Sequence, residues 1–149
     1  MQFTTNEQAT ISQAISILES KILDSETISS SSVAIDLLRL KLATKEHEVF
    51  FVMFLTTQYQ VIELNEMFRG TINSASVYPR EIAKRALELN AAAVILSHNH
   101  PSNSQKPSQA DIDLTKHISK SLALFEINTL DHIIVTRTGY YSFAESGLL

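Results

Sequence analysis

The chain has 149 residues, of which 44% are hydrophobic and 19% charged, so we expect one globular domain with a substantial core. A net charge of −4 and a pI of about 5.7 argue against a general electrostatic grip on nucleic acid, although they leave room for a local basic patch. The absence of cysteine excludes disulfides, thiolate metal ligands and thiol nucleophiles.

Neither a membrane segment nor a targeting segment is visible in the sequence. No apolar run approaches the roughly 20 residues that a membrane-spanning helix needs. The first residues lack the basic region and apolar core of a secretory signal. We therefore expect a cytoplasmic protein that has no membrane partner.

The first part of the chain is predicted to form two helices joined by a serine-rich linker. Apolar residues recur at helical spacing between Met1 and Leu23. The polar run from Asp24 to Ser31 indicates a linker, and a second helix is predicted to start near Ser32. Any domain boundary lies in this run, so that residues 1–31 would be an appendage on a main domain of residues 32–149.

Two strands are predicted next. The stretch from Glu48 to Leu55 is almost continuously apolar, which is typical of a central strand buried on both faces. The polar stretch 56–60 suits a hairpin connection, and the apolar residues between Val61 and Phe68 indicate a second strand.

The rest of the chain mixes helices and strands without strict alternation. Pro79 suits the first position of a helix, and Asn90 suits a left-handed residue at its end. The further predicted elements are a strand over 91–97, a helix over 109–125 with Leu114, Ile118, Leu122 and Phe125 inward, a strand over 128–135 and a short strand over 140–143. This order predicts an α/β fold.

The most informative stretch carries His98 and His100, directly after the apolar run 91–96. In an extended segment residues i and i+2 point to the same side, so these two imidazoles can face one point in space. A loop over 101–107, framed by prolines, is long enough to turn the chain back. Asp111 would then lie in the first turn of the next helix and approach the same point.

Two imidazoles and one carboxylate suit zinc, at about 2.0–2.2 Å per ligand. Three protein ligands leave a fourth position for water, which is the pattern of catalytic rather than structural sites. A simpler alternative needs no metal: Ser108 would be the N-cap of the helix, and Asp111 would stand at its third position, favourable to the helix dipole. The residues alone leave both interpretations open.

The pattern His-x-His-Pro-x(6)-Ser-x-x-Asp over residues 98–111 resembles the JAMM (MPN+) metalloprotease motif. Its surroundings are similar to the RadC family of bacterial JAMM-like proteins, over roughly Ser32 to Leu149. The stretches that carry this similarity are Pro79-Arg80-Glu81, Asn90-Ala91-Ala92-Ala93, Ser97 to Ser102, Asp131-His132-Ile133-Ile134-Val135 and Tyr141-Ser142-Phe143-Ala144-Glu145. The resemblance implies a mixed, curved sheet flanked by helices, of cytidine-deaminase-like appearance.

The resemblance also implies roles for individual residues. His98, His100 and Asp111 would ligate Zn²⁺, and the hydroxyl of Ser108 would donate to the oxyanion formed on attack. A glutamate upstream would be the general base for the attacking water.

Glu48 stands in the matching position for that base, just before the first predicted strand. The sequence alone does not select it over Glu46, Glu63 or Glu66. The simplest alternative for Glu48 is a solvated charge at a strand edge.

Three features depart from the pattern or stand beside it. Asn103 replaces the glycine that the family usually has, and asparagine is the next most tolerant residue of a left-handed backbone. Longer members carry a helix-hairpin-helix segment that would bind DNA, and we expect no such segment in these 149 residues. Asp131 and His132 would either orient a ligand or close a strand end; we favour the strand end for His132 and leave Asp131 open.

Three functional hypotheses follow. The leading one is a zinc-dependent hydrolase, a metallopeptidase or isopeptidase that acts on a peptide or protein. The second is a DNA-associated repair accessory or a metal-dependent nuclease, against which the acidic pI argues. The third is a non-catalytic interaction module that has kept the fold. Assembly into a homo-oligomer is left open.

Overall fold

The structure is a computed structural model, and it describes residues 2–24, 31–70 and 76–149. Within these ranges the helices are α1 Thr5–Asp24, α2 Ser31–Leu42, α3 Pro79–Glu88 and α4 Gln109–Ala123. The strands there are β1 Val49–Leu55, β2 Val61–Arg69, β3 Ala93–Asn99, β4 Asn128–Val135 and β5 Tyr140–Ser142. The predicted serine-rich linker lies almost wholly outside the described residues, so the domain boundary stays a prediction.

The five strands form one mixed sheet in the order β2-β1-β3-β4-β5. Strands β3 and β4 are parallel and are joined through α4, whereas the other neighbouring pairs are antiparallel. The predicted α/β fold with a mixed sheet flanked by helices is therefore confirmed.

Both faces of the sheet are covered by helices, which is why β1 is buried along its whole length. Alternate side chains of β1 point to opposite faces. Phe50, Val52 and Phe54 pack with residues of α3 and α4, and the intervening Phe51 and Met53 pack with residues of α2. A seven-residue apolar strand thus contributes to two cores.

Helix α1 packs beside α2 and the edge strand β2. Near its end, Ile22 is only 5% exposed, and Glu19 forms an ion pair of 2.5 Å with Lys41 of α2. No helix in the described part of the chain is both long enough and apolar enough to cross a bilayer.

Two predicted elements differ from the structure. Strand β3 runs to Asn99 instead of ending at Ser97, because its pairing with β1 and β4 continues through the polar residues. Helix α4 ends at Ala123, and Phe125 is half-exposed rather than inward. The chain leaves the helix there with a positive φ of 59° at Glu126, and Ile127 takes the inward position instead.

Candidate metal centre

The structure brings the three predicted ligands together at one end of the sheet. His98 lies in β3, His100 follows that strand, and Asp111 lies in the first turn of α4. The Nε2 atoms of the two histidines are 2.9 Å apart. The Asp111 carboxylate approaches both, with Oδ1 at 3.3 Å from Nε2 of His98 and Oδ2 at 3.3 Å from Nε2 of His100. All three side chains line a cleft of about 510 Å³.

Strand register fixes His98 in this position. It pairs with Phe50 of β1, and the two rings stack with centroids 6.0 Å apart and an interplanar angle of 10°. Only 2% of the His98 side chain is exposed, so its ring has little freedom to turn away.

The loop after β3 holds His100. Its main-chain N–H donates to Val135 at the end of β4, and its Nδ1 lies 2.7 Å from the Ser104 carbonyl oxygen. Asn103 adopts a φ of 65°, as expected for the residue that replaces glycine. Its Oδ1 also accepts from the main-chain N–H of Arg137 at 3.1 Å, which ties the loop to the β4–β5 turn. Nε2 of His100 is thereby directed into the cleft.

Ser108 and Asp111 form a capping box at the start of α4. Oγ of Ser108 accepts from the Asp111 main-chain N–H at 3.1 Å, and Oδ2 of Asp111 accepts from the N–H of Ser108 at 2.7 Å. The hydroxyl of Ser108 also donates to that oxygen, at 2.7 Å. The helix-start interpretation is therefore correct, and the same carboxylate still reaches the two histidines. Its Oδ1 is left for a metal.

The electrostatics of the cleft favour an anionic carboxylate beside a cation. A hydrogen bond with Asp111 is the main reason why the pKa of His100 is raised above its ordinary value. Burial opposes ionisation of Asp111, but hydrogen bonds, the strongest of them with His100, hold its pKa well below the usual range.

His132 was predicted to close a strand end, and this prediction is wrong. Its side chain is fully buried, with Nε2 at 2.8 Å from Nδ1 of His98 and Nδ1 at 2.6 Å from Oγ1 of Thr115. Burial lowers the pKa of His132 well below its ordinary value, so the ring is neutral. One signal was available: the residue shares the inward side of β4 with Ile134, and a buried imidazole needs a partner.

Asn99 was also missed as part of the site. It points to the opposite face of β3 from His98, where Oδ1 accepts from the main-chain N–H of Val49 at 2.7 Å. Its amide also donates to the carbonyls of His47 at 2.9 Å and Lys45 at 3.3 Å. It thus clamps the segment that contains Glu48. No local sequence pattern predicts these hydrogen bonds, because the partners of Asn99 lie 50 or more residues away in the chain.

The four candidate glutamates occupy different surroundings. Glu48 lines the cleft of the three ligands, and its charge adds to the rise in the pKa of His100, after the larger effect of Asp111. Glu46 and Glu66 line a separate hollow of about 980 Å³ beside α1. Glu63 of β2 is ion-paired with Arg85 of α3.

Asp131 belongs to the β4–β5 hairpin. Its Oδ2 accepts from Oγ of Ser142 at 2.6 Å, and its Oδ1 accepts from the N–H of Ala144 at 3.0 Å. These bonds hold the turn that follows β5, and they give this carboxylate a structural explanation.

The donor set fits a zinc ion. Ligand atoms about 2.0–2.1 Å from a tetrahedral zinc lie roughly 3.3 Å from one another. The distance of 3.3 Å between Oδ1 of Asp111 and Nε2 of His98 matches this separation. The two Nε2 atoms, 2.9 Å apart, would have to separate by a few tenths of an ångström. His98, His100 and Asp111 form the one group of three or more potential ligands found among the described residues, with all ligand atoms within 4.8 Å of one another.

Comparison with known proteins confirms the similarity to the RadC family. The profile of the RadC-like JAB domain matches residues 28–148. A UPF0758 protein of Vibrio cholerae is 47% identical over 143 residues, which are 96% of this chain and 90% of that protein. A UPF0758 protein of Methylibium petroleiphilum is 52% identical over 132 residues, which are 89% of this chain and 60% of that protein.

A third relative is a UPF0758 protein of Thiobacillus denitrificans, 49% identical over 142 residues, which are 95% of this chain. The chain spans 60% of the length of the Methylibium relative and 63% of the Thiobacillus relative. Since the profile covers most of the chain and the Vibrio relative matches along almost its whole length, this protein belongs to the RadC-like JAB domain family.

Proposed function

We propose that this protein is a zinc-dependent hydrolase that cleaves a peptide or isopeptide bond. The observation that carries the proposal is the convergence of His98, His100 and Asp111 in a cleft that also contains Glu48. Two nitrogens and one oxygen are a donor set of catalytic zinc sites, and membership of the RadC-like JAB domain family supports the same class of reaction.

A bound zinc ion would supply a Lewis acid and lower the pKa of its water to about 7. In the proposed reaction Glu48 accepts the proton of the attacking water and then gives it to the leaving amine. Ser108 donates its hydroxyl to the oxyanion, for which it has to release the carboxylate of Asp111 that it contacts in the free protein. The capping bond from the Asp111 N–H to Oγ can persist, because it uses a lone pair of the hydroxyl and not its proton.

The test compares zinc content and peptidase activity in the wild type and two variants. We expect Glu48→Gln to keep its zinc and to lose about 10²–10⁴-fold in hydrolysis of a fluorogenic peptide library with α-linked and lysine-linked members. His98→Ala removes a ligand, so it should lose both zinc and activity.

Glu46→Gln is the matched control, because Glu46 lies two residues away and lines the other hollow. It should behave as the wild type. Equal hydrolysis by all four proteins, or a wild type that takes up no zinc, would reject the mechanism.

A further inference from the structure

A buried series of hydrogen bonds runs behind the ligands, away from the cleft. Nδ1 of His98 lies 2.8 Å from Nε2 of His132, and Nδ1 of His132 lies 2.6 Å from Oγ1 of Thr115. The Thr115 hydroxyl in turn lies 2.6 Å from the main-chain oxygen of Asp111. This relay, His98–His132–Thr115–Asp111, crosses β3, β4 and α4. It therefore connects two of the three metal ligands through the protein interior.

The chemistry of the groups fixes the direction of every bond in the relay. The carbonyl of Asp111 can only accept, so the single hydroxyl proton of Thr115 goes to it. Oγ1 must then accept from Nδ1–H of His132. A neutral imidazole with its proton on Nδ1 has a bare Nε2, which accepts Nδ1–H of His98. With its proton on Nδ1, a neutral His98 presents an unprotonated Nε2 to the cleft.

Packing holds the plane of the His132 ring. The ring stacks on Phe143, with centroids 4.8 Å apart and an interplanar angle of 21°. The edge-to-face contact with Phe50 is at 5.5 Å, and none of the His132 side chain is exposed. The same Phe50 stacks on His98, so both histidines are held by one aromatic side chain.

We propose that His132 is a positioning residue of the metal centre, which fixes the tautomer and orientation of His98, and that Thr115 fixes those of His132 in turn. This inference rests on the zinc site proposed above. An imidazole takes the place that a carboxylate or carbonyl often has behind a metal-binding histidine. Because this acceptor is neutral, the relay orients His98 without adding negative charge to the site.

The first test needs neither zinc nor substrate. Long-range ¹H–¹⁵N spectra of the metal-free wild type, assigned with single histidine variants, report which ring nitrogen of each histidine carries a proton. We expect His132 and His98 both to be protonated on Nδ1. A proton on Nε2 of His132 would overturn the proposal, because His98 would then carry its own proton on Nε2 and could not bind a metal there.

The second test measures zinc affinity by competition with a chelator. We expect His132→Phe, which keeps an aromatic ring between its neighbours, to bind zinc about 10–100-fold more weakly. Thr115→Val should weaken binding by about tenfold. Thr129→Val is the matched control with an effect within about twofold, since the buried hydroxyl of Thr129 has no hydrogen-bond partner among the described residues.

The double variant of His132 and Thr115 decides whether they act in series. We expect it to bind zinc no more weakly than His132→Phe alone, because Thr115 acts through His132. The relay would be overturned if the losses of zinc affinity in the two single variants added up in the double variant. It would also be overturned if variants that still show a cooperative thermal transition bound zinc as tightly as the wild type. A wild type that binds no zinc would instead reject the metal centre itself, even where the spectra show the expected tautomers.

Discussion

At His100 the nitrogen that would bind the proposed metal ion can also carry a proton. Its Nδ1–H donates to the Ser104 carbonyl, and the hydrogen bond with Asp111 is the main cause of its raised pKa. Nε2 of His100 lies 2.9 Å from Nε2 of His98, so a proton on the His100 nitrogen points toward that second imidazole. When this proton is bound, it supplies the positive charge that the Asp111 carboxylate attracts.

This protonation predicts how the stability of the metal-free protein depends on pH. The raised pKa of His100 stabilises the fold fully below the unfolded value of about 6.5, and this contribution is lost as the pH rises through the folded pKa. His132 has a lowered pKa, so its contribution is already constant above about pH 6.5. We therefore expect the free energy of unfolding, measured by urea titration with a chelator present, to fall from about pH 6.5 upward.

A matched pair of variants tests the assignment to His100. His100→Asn should flatten the dependence of the free energy of unfolding on pH. His117→Asn should leave that dependence unchanged, because His117 is exposed on α4. A slope that survives in His100→Asn would show that another group titrates.

At the scale of elements, the strands could be predicted because apolar runs mark them, but the end of β3 could not. His98 and Asn99 look like loop residues, yet the pairing of His98 with β1 and β4, and of Asn99 with β4, keeps them extended. The spacing of two between residues 98 and 100 in an extended segment suffices to predict that both imidazoles face one point. Contacts of Asn99, Thr115 and His132 depend on how separate elements pack, so no local pattern contains them.

Strand β3 positions the site from both of its faces, which leads to a prediction for Asn99. Asn99→Ala leaves the buried N–H of Val49 without its partner, so we expect a loss of about 1–3 kcal/mol in the free energy of unfolding. Zinc affinity should change little, since His98 on the other face keeps its contacts. Urea unfolding and chelator competition measure the two effects separately.

Asn128→Ala is the control for this variant. Asn128 is exposed at the start of β4, and its loss should cost less than about 0.5 kcal/mol. If Asn99→Ala were as stable as that control, the clamp on the segment before β1 would have no energetic importance.

At the scale of the whole molecule, the sheet separates two apolar layers, and the ligand cleft lies on the α4 side. The layer on the other side contains α2, with α1 packed beside it. The sequence suggested that residues 1–31 are an appendage, whereas Ile22 of α1 is almost as buried as the core. Whether α1 unfolds with the domain is therefore a measurable property of the molecule.

We expect α1 to unfold together with the sheet, and Ile22→Ala tests this. Ile22 lines a small hollow with Leu37 of α2 and Ile62 of β2, so its truncation should lower the free energy of unfolding by about 2 kcal/mol. Ile17→Ala, at a half-exposed position of the same helix, should cost less than about 0.5 kcal/mol.

All four tyrosines lie after β1, so urea unfolding followed by tyrosine fluorescence reports on the main domain alone. A fluorescence midpoint that Ile22→Ala leaves unchanged, while the helical circular dichroism signal shifts, would make α1 an independent appendage, because one cooperative unit gives coincident transitions by both probes.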